Sequence, residues 1–382
     1  MNKHALYIGG FDLPDNNAAA QRVVPIAKIL VELGYDITLV GLSADASCCD
    51  KLFEICGLKC LNLQYPKTPT QWWKYLTSIR QYTPFINKST ELVVAYNHPS
   101  IALSKLLSYN KRRGIKTVAD CTEWYVPQGN ALFSIIKKWD VNNRMYNVHC
   151  KLDGVISISR YLFTFYKERG VNTFLLPPLV DKSDKKWLLP KGIPQKDEIS
   201  IIYAGSPGGM KDRPDLVVRA LEALSIQRTI RFDIVGMSLE QYKKRFGLNE
   251  DSSVSEYIHF HGRLPHLEVI NMLKQADFQM FFREDNIVTR AGFPTKFAET
   301  ISSKTIPVTN KTSNIDDYLV DGENGFFIDM TSEETIKKAL DRVLSLTRGQ
   351  INLLKNNIDE DCFDYHRYIG VFNHFISNVR QG

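Results

Sequence analysis

Phe281–Asn310 reads FFREDNIVTRAGFPTKFAETISSKTIPVTN. An apolar strand over Phe278–Phe282 runs into a charged loop containing Gly and Pro. An amphipathic helix opened by Pro294 follows, then a short strand over Ile306–Thr309. A proline at the first helical position leaves no orphan donor there. That order carries Arg283, Thr295, Lys296 and Glu299 to the carboxyl end of a parallel sheet, where open α/β proteins bind ligands. The start of the helix is partly positive and suits an anion such as a phosphate.

Upstream of this corner the same βα alternation is already running. Strands are expected at Ile199–Ala204, Arg231–Val235 and Tyr257–Phe260, and helices at Pro214–Leu224 and Leu267–Ala276. After the first of these strands comes AGSPGGMKDRPD (204–215), in which Gly205, Gly208 and Gly209 free the backbone amides and Lys211 follows. Backbone donors, a helix N-terminus and a lysine are what a diphosphate needs, although an ordinary glycine turn also accounts for the glycines. The spacing is not that of a P-loop.

The first half carries an independent series of the same kind. Strands are expected at Leu6–Gly10, Asp36–Gly41, Leu92–Tyr96, Lys116–Asp120, Gly154–Ile158 and Phe174–Leu176, with a helix from about Gln21 to Leu33. This is a doubly wound α/β pattern. The Gly9-Gly10 turn lacks the dinucleotide fingerprint, and Ala18–Ala20 follow it. Polar residues end two of the strands. His98 reads either as an acid/base or acceptor-binding group or as a helix-capping loop histidine. Asp120 and Glu123 read as orienting an acceptor hydroxyl, or Asp120 as capping a turn. Pro177-Pro178 and the Lys, Asp and Pro of 181–197 mark a boundary, giving domains over 1–181 and 199–358, a linker over 182–198 and a terminal helix over 359–382.

With 382 residues, 44% hydrophobic and 24% charged, the chain is sized for two soluble domains. No apolar run reaches the roughly 20 residues of a membrane span, and no signal peptide precedes the first strand, so a cytoplasmic protein is expected. Seven cysteines without a C-x-x-C pair read as reduced thiols, and no metal is assigned. A net charge of +6 favours anionic partners. Two stretches, Thr70–Lys88 and Asn130–Tyr146, interleave Trp and Tyr with Lys and Arg. They fit peripheral contact with an anionic membrane at its inner face, or else a packed core with a solvated basic face. Neither carries a nucleic-acid module, so no nucleic-acid partner is expected.

Five segments in order resemble the retaining GT-B-fold glycosyltransferases of family four, the bacterial capsular and exopolysaccharide type. They are AAAQRVVPIAKILVELGYDITLVG, VISISRYLFTFYKERGV, YAGSPGGMKDRPDLVVRALEAL, HFHGRLPHLEVINMLKQADFQMFFR, and AGFPTKFAETISSKTIPVTN with NIDDYLVDGENGFFI. The resemblance covers nearly the whole chain. It implies two Rossmann-like domains facing a cleft, a C-terminal helix crossing back to the first domain as part of a hinge, and no cofactor. The co-substrate would be a nucleotide-sugar, UDP-linked or alternatively GDP-linked, and the acceptor a glycan or lipid-linked oligosaccharide.

By the same resemblance Lys211 neutralises the donor diphosphate and Glu299, the second glutamate of the family's paired motif, hydrogen-bonds the ribose. Thr295 and Lys296 face phosphate, and Gly262 and Arg263 lie by the base or leaving phosphate. Gly10, Gly205, Ser206 and Gly208 complete the donor contacts, and His98, Asp120 and Glu123 face the acceptor. The chain departs from the pattern at three places, one being that the histidine relatives often carry at the end of an N-terminal strand is not matched at Asp120–Glu123. Ala291 stands where relatives carry the first glutamate, and Ser206 stands where many carry an arginine. Arg283, which follows a strand directly, is the candidate replacement cation, ahead of Arg290. The broken motif leaves an alternative, a catalytically inactive GT-B subunit that binds and stabilises a partner glycosyltransferase.

Overall fold

Continuous apolar runs such as His4–Gly9 have no polar face to offer solvent, so they are stable only as strands covered on both sides. The computed structural model, which describes residues 3–126, 131–188, 198–205, 211–225 and 228–382, builds two such sheets. The first contains β1 (Lys3–Gly9), β2 (Tyr35–Ser43), β3 (Leu52–Ile55), β4 (Leu58–Gln64), β5 (Thr90–Tyr96), β6 (Lys116–Cys121), β7 (Gly154–Ser157) and β8 (Thr173–Leu175). Their order is β3-β4-β2-β1-β5-β6-β7-β8, parallel except for the β3–β4 hairpin. The second contains β9 (Ile199–Ala204), β10 (Ile230–Val235), β11 (Ile258–Gly262), β12 (Phe278–Phe281), β13 (Ile306–Thr309) and β14 (Phe326–Phe327), ordered β11-β10-β9-β12-β13-β14 and parallel throughout.

The β3–β4 hairpin went unread in the sequence because its alternation is short and interrupted by Cys56 and Gly57, both at positive φ (50° and 79°). The cysteines placed around it are all free thiols. The chain divides into two units, 1–180 with 290–293 and 365–382, and 181–289 with 294–364. Residues 182–188, expected as linker, belong to the second unit together with Asp181, and there Trp187 is buried and its carbonyl accepts from Lys274 Nζ. The rest of the expected linker, 189–197, lies outside the described residues.

The last helix, Ile369–Gln381, belongs to the first unit. Phe372, Phe375, Ile376 and Val379 join the core formed by Ala5, Tyr7, Ile26 and Val94. Gly154 at the head of β7 lets this helix approach, since a Cβ there would lie 2.8 Å from Phe375.

In the second unit Asp277, fully buried before β12, accepts from Arg348 Nη1 (2.7 Å), Lys355 Nζ (3.0 Å) and the Ser200 amide (3.2 Å). Burial opposes its charge, yet Lys355, Arg348 and the amide hold its carboxyl below the usual carboxylate range. Because the folded value is the lower one, this contribution to stability is complete above the unfolded value near about 4 and is lost as pH falls through the folded value. Denaturant unfolding of Asp277→Asn should therefore show a shallower loss of stability below about pH 4 than the parent chain; equal slopes would refute the linkage.

Candidate functional site

At the carboxyl ends of β9 and β12, two short backbone contacts stitch the glycine loop to the corner. Asp212 pairs with Arg283 as an antiparallel bridge, and the Arg213 amide donates to the Phe282 carbonyl (2.8 Å). Asn310, just past β13, closes the other side by accepting from the Arg283 amide and donating to its carbonyl, both at 2.8 Å. Lys211 is thereby held, half-buried, beside the sheet end. Ser206 and Gly208 lie outside the described residues.

The side chains converge on Asp212. Its carboxylate meets Lys296 Nζ at 2.5 Å and Arg283 Nε at 3.3 Å, and accepts from the Tyr203 hydroxyl at 3.1 Å. Burial works against this carboxylate, but Lys296, Arg283 and Tyr203 bring its pKa below the ordinary value. Burial lowers that of Lys296, with Asp212 working in the opposite direction. The Lys296 amine also lies over the Tyr203 ring (4.3 Å) and against Gly205, where a Cβ would stand 2.3 Å from Nζ. Glycine at 205 leaves room for the amine to lie against the backbone on its way to Asp212. A buried carboxylate binding two cations fixes their positions before any ligand arrives.

The helix beyond is Thr295–Ser302, with Pro294 as its N-cap rather than its first helical residue. Pro294 has φ −71° and ψ 109°, because an extended residue is needed to turn the chain out of Ile287–Ala291, a five-residue helix inside what reads from sequence as a loop. One turn along, Glu299 Oε1 meets His266 Nε2 at 2.9 Å, and His266 Nδ1 meets Lys186 Nζ at 3.3 Å. Gly262 closes β11 at φ 64°, its carbonyl accepting from the Gly236 amide (2.7 Å), and Arg263 beside it is exposed.

Most of the second unit is similar to a known sequence family. Residues 185–359 match the family model described as glycosyl transferases group 1. No curated protein sequence matches the chain. Solved structures with the same fold include sucrose-phosphate synthase from Thermosynechococcus elongatus, with TM-score 0.71 and 12% identity over 99% of both chains. Anabaena HepE in complex with UDP-glucose gives 0.67 and 12%, over 98% of this chain and 99% of that one. The catalytic domain of starch synthase IV from Arabidopsis thaliana, bound to ADP and acarbose, gives 0.69 and 10% over the whole of both chains. At these identities the likeness is one of fold, the GT-B arrangement of two parallel-sheet domains.

Within the second unit the structure brings Arg283, Lys296 and Gly205 together around Asp212, the neighbour of Lys211, and it adds Asn310 and His266; these last two and Asp212 were passed over by sequence reading. Asp212 was legible as an acid between two bases, Lys211 and Arg213; His266 had no local signal. Arg290 is exposed and groups with the first unit. Ala291 is fully buried there, and its carbonyl accepts from Ser159 Oγ at 2.6 Å.

In the first unit Gly10 directly follows β1 and is exposed. Asp120 requires a correction. It is fully buried, with Arg22 Nε at 3.0 Å from both oxygens, Arg22 Nη2 at 2.8 Å and the Tyr7 hydroxyl at 2.6 Å. Those donors fill its acceptor sites, so it holds the fold rather than an acceptor hydroxyl. Glu123 hydrogen-bonds the Tyr125 hydroxyl, whose pKa rises through burial and then the charge of Glu123. His98 does not cap the following helix, whose N-cap is Pro99 with no side-chain bond. It is fully buried, edge-on to Tyr75 and Tyr82 at 5.8 and 5.3 Å.

Proposed function

We propose that the chain is a retaining glycosyltransferase of family four that moves a sugar from a nucleotide diphosphate, UDP in the first instance, to a hydroxyl of a glycan or lipid-linked acceptor in surface polysaccharide synthesis. The observation that carries this is the pair of buried cations, Arg283 and Lys296, pre-set on Asp212 beside Lys211 and the start of the Thr295–Ser302 helix. In the reaction the bond from the anomeric carbon to the diphosphate oxygen breaks. The acceptor oxygen bonds to the same face, and its proton passes to the leaving phosphate. Negative charge grows on that phosphate, and preorganised cations and helix amides lower the barrier by meeting it where it grows. Glu299, steadied by His266, accepts from the ribose hydroxyls.

Those groups need no metal to perform this task. Lys211→Ala should release nucleoside diphosphate about 10²–10³-fold more slowly with its melting transition unchanged. The assay is a donor screen reading released nucleoside diphosphate, run with and without a lipid-linked acceptor extract. Undiminished turnover would overturn the assignment. Calorimetry that finds binding of no nucleoside diphosphate would favour the inactive subunit instead.

Peripheral membrane contact is supported by one face of the helix Ala131–Asn143. Ile135, Ile136 and Trp139 are 65%, 51% and 53% exposed, with Lys138 among them. Exposed apolar and aromatic side chains beside lysines insert at an anionic headgroup layer. By contrast Trp72 and Tyr75 of the other stretch stack edge-on in a chain with Tyr65 and His98. Among the described residues no helix is long and apolar enough to cross a bilayer. Trp139→Ala with Ile136→Ser should reduce co-sedimentation with phosphatidylserine-containing vesicles without changing turnover on a soluble acceptor; undiminished sedimentation would refute the contact.

A further inference from the structure

Three arginines of this chain turn the side-on edge of the guanidinium, Nε–H with Nη2–H, to a carboxylate. Arg22 does so to Asp120, Arg213 to Asp215 and Arg231 to Asp233. Arg144 has that same edge buried with no hydrogen-bond partner on either nitrogen among the described residues. The residue is 3% exposed; among the described residues its one hydrogen bond runs from Nη1 to the Asn97 carbonyl at 2.9 Å, and its guanidinium carbon lies 5.7 Å from the Tyr125 ring centroid. Asn97 is itself fixed in the left-handed region (φ 41°), its side chain tied to Thr122 by two bonds of 2.6 and 3.1 Å. Nη1 is therefore anchored, and the free fork is held in a set direction. A guanidinium removed from water without a counter-charge is costly, and the Nε/Nη2 fork matches the two oxygens of a carboxylate or phosphate.

The surroundings are shaped for the same chemistry. Arg144 opens a π-helical turn, Arg144–Val148, a distortion that recurs at functional sites. His98, next in sequence to the Asn97 anchor, has both ring nitrogens buried without partners. His149, fully buried on the next turn, spends Nδ1 on the Tyr166 hydroxyl (2.6 Å) and leaves Nε2 without a partner. Burial first, and then the Arg144 charge, lowers both imidazoles, His98 to about 3 and His149 well below its ordinary value. Each ring is therefore neutral and carries one N–H, which His149 presents at Nε2 in the tautomer where the Tyr166 hydroxyl donates to Nδ1. The rings of Tyr75 and Tyr125 are partly exposed, whereas Arg144 and His98 are buried.

We propose that the Nε/Nη2 edge of Arg144, with His98 and His149 beside it, is a binding site in the first unit for one oxyanion group, a phosphate or a carboxylate. Arg144, His98 and His149 all belong to the first unit, and none of them is a donor-site residue. The group is either a free anion or one carried by a sugar acceptor, and an experiment separates them. The full chain, labelled at the histidine Cε1 positions and assigned with His98→Gln and His149→Gln, is titrated with inorganic phosphate, glucose 6-phosphate and glucuronate at constant ionic strength in chloride. Saturable movement of the His98 and His149 signals is expected in the parent chain and in Lys211→Ala. It should disappear in Arg144→Met, which should melt at or above the parent temperature in chloride because an unpaired buried charge has been removed. A sugar-borne anion binding at least roughly tenfold more tightly than inorganic phosphate assigns the site to the acceptor, and equal affinities assign it to a free anion. No saturable movement of either signal, or the same movement in Arg144→Met, overturns the proposal.

Discussion

Arg283→Gln should lower turnover by about 10²–10³-fold, the loss expected when one preorganised donor to a developing oxyanion is removed. The fold should survive. The bonds that anchor residue 283 to Asn310 are made by its backbone and remain in the variant. Asp212 keeps Lys296 and Tyr203 as partners, so no buried carboxylate is left without a counter-charge. The loss should appear in kcat rather than in the affinity for free nucleoside diphosphate if the charge matters most as the bond breaks. A variant with parental kcat would remove Arg283 from the proposed machinery, and one that has lost its melting transition would make the residue structural.

Asp120→Asn should destabilise the protein by about 3–5 kcal/mol, since it leaves the Arg22 guanidinium buried without its counter-charge. For a unit of this size each kcal/mol lowers the melting temperature by about 2–4 °C. Arg22 also donates through Nη1 to the Leu176 and Pro177 carbonyls at 3.1 Å each, so one side chain ties the first helix to the ends of β6 and β8. Pairing Asp120→Asn with Arg22→Met should be non-additive by about 1–3 kcal/mol, as expected of two residues acting as a unit. Simple additivity would show that the ion pair is not what Asp120 contributes, and a change confined to acceptor KM would return it to the binding role.

The alternation of β and α was legible because buried parallel strands are continuous apolar runs and their helices are amphipathic. The hairpin β3–β4 was not, since antiparallel edge strands carry a weaker pattern. At the site, Arg283, Lys296 and Glu299 could be picked out because they follow strand ends or open a helix. What escaped was pairing across sequence distance. Asp120 looks like a free carboxylate until Arg22, 98 residues earlier in a helix that reads as apolar, is found on it. The same holds for His266 on Glu299 and for the empty fork of Arg144, which no local pattern distinguishes from any surface arginine.

The placement of Ile369–Gln381 in the core of the first unit also sets an order of events during synthesis. When a ribosome has made residues 1–180, the sheet they form still lacks Phe372, Phe375, Ile376 and Val379, and the groove beside Gly154 stands open. The intervening unit, 181–289 with 294–364, is contiguous enough to fold as it emerges. The part made first is thus the part finished last, and until the final residues arrive it exposes an apolar seam that chaperones, or a second nascent chain, would find.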